Sequence, residues 1–223
     1  MPSSHFGEPD LLARIFHVGL GGSYGEDQVR IYAYGGVMGR EEEWRLVADD
    51  WYAVLAPYQL THLHMKNLRG WEQSSRSQLL NSLTDVVLRR NLAAVCWAAQ
   101  DSLFEQDANR ARRARELFVT LVTQITNVAP PDVHLALICD READLAKEVL
   151  LWIDAVARSN KPLYDRISGI CYMNSRDLTA VQAADMVAYL CREDAERYAA
   201  DPSSPVDLIL ERLTQGRWRR QRV

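Results

Sequence analysis

Residues 14–37, RIFHVGLGGSYGEDQVRIYAYGGV, decide the fold. An apolar run at Ile15, Phe16 and Val18 reads as a buried strand, and it meets four glycines, Gly19, Gly21, Gly22 and Gly25, within seven residues. A dinucleotide-binding loop needs its glycines to end a strand and open a helix whose N-terminus holds the pyrophosphate, and a P-loop needs Gly-Lys-Ser/Thr. Neither pattern is present. The glycines lead through Glu26, Asp27 and Gln28 into a second apolar run, so they are read as turn residues with positive φ and the two runs as a β-hairpin.

Beyond the hairpin, apolar β-rich runs alternate with helical patterns, the sequence mark of an α/β layered domain. Strands are expected at 14–19, 28–37, 60–66, 92–99, 133–139 and 167–173. Helices are expected at 41–56, 73–90, 108–127, 142–158 and 179–198, with a short one near 205–213. The fold class is therefore α/β: a mixed sheet flanked by helices, opening with a β-hairpin. With 223 residues, 48% of them hydrophobic, the chain is expected to form one domain over residues 1–223. Its core spans about 14–198, and 199–223 holds a C-terminal helix and basic tail.

The opening MPSSHFGEPD has neither a basic n-region nor an apolar h-region, and no apolar run is long enough to span a membrane. A soluble, cytoplasmic protein is the expectation. Cys96, Cys139, Cys171 and Cys191 are scattered in or beside apolar segments, which suits buried free thiols better than disulfides or a zinc site. A net charge of −4 gives no global attraction to a phosphate backbone. Any nucleic-acid contact is left to local basic patches, NRARRARE at 109–116 and RWRRQRV at 217–223, each of which reads equally as a solvated face or end.

Three stretches place polar groups where a core would not. In THLHMKN, His62 and His64 stand two apart and would share one face of a strand. In VHLALICDREA, Asp140 follows five apolar residues at the C-terminal end of a strand, the edge where open α/β sheets bind ligands, although it also suits the N-cap of the next helix. In NSRDLTAVQAADMVAYLCRED, Thr179 or Asp177 can cap a helix on which Gln182, Asp185 and Tyr189 line one stripe. An acid among Ala, Met and Val needs a partner or a cation.

The order of glycine hairpin, HLHMK, a strand ending in CD, and NSRDLTAVQAADMVAYL resembles the bacterial family termed domain of unknown function 3800, over roughly residues 14–198. That resemblance implies a ribonuclease H-like fold with an acid-rich site for Mg²⁺ or Mn²⁺. It matches Ser175, Gln182 and Asp185 to the family's Ser…Gln-x-x-Asp pattern, His64 to its histidine and Asp140 to its strand-end acid. His64, Asp140 and Asp185 are thereby the catalytic candidates, Asp140 and Asp185 the metal ligands, and Ser175 and Gln182 the substrate-positioning residues. One departure matters: the family's first strand ends in Asp-Glu-Ser-Gly, and this chain has Gly19, Leu20, Gly21 and Gly22 there. Glu26 and Asp27 follow the glycines instead of ending the strand.

Two functions follow from the resemblance. The first is a metal-dependent phosphodiesterase or nuclease acting on nucleic acid, weakened by loss of the first-strand acid, because two-metal chemistry needs acids from several elements to share the ions' charge. The second is a catalytically inactive nuclease-like module that binds nucleic acid or a protein partner.

Overall fold

The computed structural model describes residues 15–24, 30–101, 107–140, 151–158, 160–174 and 176–216; for 15–24, 30, 32, 99–101, 107–114 and 117 it describes the backbone alone. Strands β1 (Ile15–Tyr24) and β2 (Arg30–Arg40) form the expected hairpin. Helix α1 (Glu41–Leu55), a 3-10 turn (Ala56–Tyr58), a second 3-10 turn (Met65–Leu68) and α2 (Gln73–Arg89) lead to β3 (Ala93–Asp101). Then come α3 (Asp107–Val128), β4 (His134–Asp140), α4 (151–158) and α5 (Lys161–Tyr164). β5 (Ile167–Met173), α6 (Thr179–Ala200) and α7 (Leu208–Thr214) complete the chain.

The sheet runs β3-β2-β1-β4-β5. β1, β2 and β3 pair antiparallel, whereas β4 pairs parallel to β1 and β5 parallel to β4. Each face is covered by its own helices. Ala33, Val37, Ala94 and Cys96 meet α1, α2, α6 and α7 on one side, while Tyr34, Met38, Val95, Leu135, Leu137 and Cys139 meet α3 and α4 on the other. This alternation along each strand sends successive residues into separate cores.

Helix α6 lies nearest the sheet, and two observations explain why it fits. Its first four turns are almost wholly buried, with Ala180, Ala183, Ala184 and Ala188 keeping it thin. Beneath it, Gly35 offers no side chain: a Cβ there would lie 2.6 Å from the Ala184 carbonyl oxygen and closer still to the Ala188 amide. Only glycine permits that approach.

Three expectations need correction. Residues 60–66 form no strand: the peptide runs through a loop into the 3-10 turn at Met65, because Leu63, Met65 and Leu68 all go into the core and strict alternation is broken. His62 and His64 therefore share no strand face. Nor do Gly21 and Gly22 make the hairpin turn, since they lie inside β1, paired with Gly35 and Tyr34. Among the described residues the glycines with positive φ are Gly70 and Gly216. The connection itself, with Gly25, Glu26 and Asp27, falls at 25–29, outside the described residues. Helix α6 also starts without a side-chain cap, its N-cap being Leu178 in place of Thr179 or Asp177.

Candidate functional site

Of the stripe Gln182, Asp185, Tyr189 on α6, the first two take hold of the segment between α1 and α2. Gln182 is fully buried, and its Oε1 accepts from the Leu63 amide at 2.8 Å and the Trp51 indole at 3.0 Å. Asp185 Oδ2 accepts from the Met65 amide at 3.1 Å and lies 3.4 Å from His64 Nδ1. Tyr189 instead takes the Arg76 guanidinium of α2 and the Arg192 guanidinium of α6 over its ring, 5.2 Å and 4.8 Å from the centroid. The histidine loop is thus pinned to α6 at two successive odd positions, 63 and 65.

His64 is charged more readily than an ordinary histidine. Its hydrogen bond to Asp185 raises its pKa from 6.5; burial opposes this, the Asp185 charge adds to it, Lys66 opposes it and the Asp140 charge adds to it. The protonated imidazole therefore stabilises the fold. That contribution is complete below 6.5 and is lost as the pH rises through the higher folded-state value. Substituting Asp185→Asn keeps an acceptor for the Met65 amide but removes the charge, so the His64 ring should titrate at a lower pH than in the native protein. Proton NMR of the imidazole checks this, and an unmoved titration would break the link between the two side chains.

Asp140 ends β4, partly buried. Leu135, Leu137 and Cys139 belong to the α3 side, so the alternate residues Ile138 and Asp140 belong to the face that α6 covers. Gly19 shares that face, pairing with both Val37 and Ile138. The register ends at Leu20 beside Cys139, which brings Asp140 to the level of Gly21. Burial pushes the neighbouring Cys139 thiol up to about 12, so it stays protonated and inert.

His64 and Asp185 are brought together, and Asp140 acts on His64 through its charge. Gln182 reaches the loop in place of a substrate, being fully buried. Ser175 lies outside the described residues, as do the tail 217–223 and the side chains of 109–114. Among the described residues, no three His, Cys, Asp or Glu side chains gather in a way that would hold a metal ion. Trp51 and the amides of Leu63 and Met65 were not foreseen. A lone Gln inside an apolar helix was the available signal, since a buried amide needs partners.

A five-stranded mixed sheet in this order, opened by an antiparallel hairpin and flanked by helices on both faces, is a ribonuclease H-like α/β fold. No family model matches the chain, and no curated protein does. Several solved structures resemble it, among them the following three. Bst-RNase HIII in complex with Mn²⁺ is 13% identical with a TM-score of 0.48, over 93% of this chain and 64% of that one. Ribonuclease H2 from Pyrococcus horikoshii OT3 is 11% identical with a TM-score of 0.45, over 90% and 97%. The match to the PCNA:RNase HII complex from Archaeoglobus fulgidus is 13% identical with a TM-score of 0.45, over 93% and 98%. Likeness at this level transfers no activity, and the fold rests on strand order and register. Among the described residues no helix is long and apolar enough to cross a membrane.

Proposed function

We propose that this chain is a cytoplasmic, divalent-metal-dependent phosphodiesterase acting on nucleic acid, of low activity, built on one ribonuclease H-like domain and distantly related to domain of unknown function 3800. The observation that carries the reading is the Asp185 carboxylate, fastened to the His64–Met65 turn on the sheet face that Asp140 shares. Two carboxylates are hard oxygen donors of the kind that Mg²⁺ or Mn²⁺ takes while keeping several waters. Two such donors would serve one hydrated ion and fall short of a two-ion clamp, for which position 19 on β1 supplies no acid. When bound, such an ion would neutralise a phosphate oxygen and make a water more acidic.

The chain's own groups do the rest. Asp140 and Asp185 would hold the ion, and the hydrogen bond to Asp185 also favours the protonated form of His64. With Nδ1 turned to the carboxylate, the other ring nitrogen is left to give a proton to a phosphate or leaving oxygen. Gln182 acts as a positioning residue, by holding the loop that carries His64. Ser175 keeps a substrate-facing role in this proposal on the resemblance alone.

The second reading, an inactive module for nucleic acid or a protein partner, is favoured by the glycine at position 19, placed by its pairing on the face where the missing acid would be needed. Hydrolysis of a labelled oligonucleotide separates the two. The native chain should cleave slowly and only with Mn²⁺ or Mg²⁺, and Asp140→Asn and Asp185→Asn should each lower the rate by roughly 100-fold or more. Binding without metal-dependent cleavage would favour the inactive module.

A further inference from the structure

The 3-10 turn Met65–Leu68 carries more than the candidate histidine's anchor. Met65 and Leu68 are buried at 1% and 2% exposure, so Lys66, Asn67 and Arg69 are turned out to solvent. Lys66 lies in the turn and Arg69 is its C-cap, whose amide donates to the Lys66 carbonyl at 3.2 Å to close the turn. Neither cation forms an ion pair with a described residue, although Glu72 lies three residues on. Other exposed cations are of both kinds: Arg158, Lys161 and Arg212 are paired with Asp154, Asp165 and Asp85, whereas Arg45 and Arg176 form no ion pair with a described residue but lie away from the His64 loop in sequence.

The turn is also fastened beside Asp185. Amides on its leading side are bound by Gln182 and Asp185, and Lys66 is close enough for its charge to act on His64. Just past it, Gly70 turns the chain at φ +83°, and Trp71 lies half-exposed with its ring centroid 5.7 Å from that of Tyr58. Two exposed, unpaired cations followed in the chain by a half-exposed aromatic are the components of a site for single-stranded nucleic acid: charges for the backbone and a ring face for a base.

We infer that Lys66 and Arg69 form a phosphate-backbone site for single-stranded nucleic acid, leading the strand toward Asp185 and His64. This rests on the phosphodiesterase reading for its purpose but is measured without it. Fluorescence anisotropy of a labelled single-stranded oligonucleotide, in chelator and at several salt concentrations, reads binding alone. Lys66→Ala/Arg69→Ala should weaken binding roughly tenfold and make the salt slope shallower by about 1.4, near 0.7 for each phosphate no longer neutralised. The charge-matched control Arg158→Ala/Lys161→Ala should leave affinity and slope unchanged, and a duplex of the same sequence should bind more weakly than the single strand. The inference is overturned if the Lys66/Arg69 variant binds like the native chain, if the control weakens binding as much, if the duplex is preferred, or if the native chain binds no oligonucleotide. Loss of binding in the Lys66/Arg69 variant, in a chain that shows no metal-dependent cleavage, would uphold this site while refuting the phosphodiesterase reading.

Discussion

Gln182→Leu should cost the protein about 2–3 kcal/mol and free the histidine loop. The substitution strands two buried donors, the Leu63 amide and the Trp51 indole, and each stranded donor costs about 1–3 kcal/mol. An offsetting gain comes from removing Gln182 Nε2, itself buried and without a partner among the described residues. The two losses outweigh the single gain. Urea unfolding should show the lower midpoint, and hydrogen exchange should quicken at the Leu63 and Met65 amides before it does in the sheet. A variant as stable as the native protein, with the loop amides still protected, would mean that Gln182 does not anchor the loop.

Gly35→Ala should be damaging to a similar or greater degree, about 2–3 kcal/mol. Its Cβ meets helix backbone, the Ala184 carbonyl and the Ala188 amide, which no side-chain rotation relieves. Overpacking of this kind costs typically 1–3 kcal/mol and occasionally more, against a gain of about 0.5–1 kcal/mol for replacing glycine in a strand. Displacing α6 also displaces Asp185, so the His64 pKa should fall in the same variant. Gly169 on β5 has open space where its Cβ would be. Gly169→Ala should therefore be neutral or slightly stabilising, and equal losses at the two positions would refute the close-packing argument.

Much of this architecture was legible before the structure. The helical periods of 41–56, 73–90, 108–127 and 179–198 reappear as α1, α2, α3 and α6 with ends shifted by at most two residues. The apolar runs at 92–99, 133–139 and 167–173 became β3, β4 and β5. Of the expected helix at 142–158, residues 151–158 are helical and the earlier part lies outside the described residues. What local pattern could not supply was long-range demand. The run at 60–66 has strand-like composition, yet its amides are satisfied by side chains on α6 more than a hundred residues away, so no sheet partner is needed. Likewise Gly21 and Gly22 look like turn residues in the sequence, yet they lie inside β1 opposite Gly35 and Tyr34. The site was half-legible: the spacing of Gln182 and Asp185 put both on one stripe, but nothing local showed that the stripe would grip the histidine loop through its backbone.

In the proposed function Asp140 and Asp185 hold one divalent cation, weakly for want of an acid on β1. Calorimetric titration of Mn²⁺ into the native chain, Asp185→Asn and Gly19→Asp tests it most directly. Position 19 shares the sheet face of Asp140 by its pairing with Ile138, and an added carboxylate strengthens attraction to a hard cation. Weak binding at one site is expected in the native chain, none in Asp185→Asn, and binding tighter by roughly tenfold or more in Gly19→Asp. Identical titrations of the native chain and Asp185→Asn would contradict it.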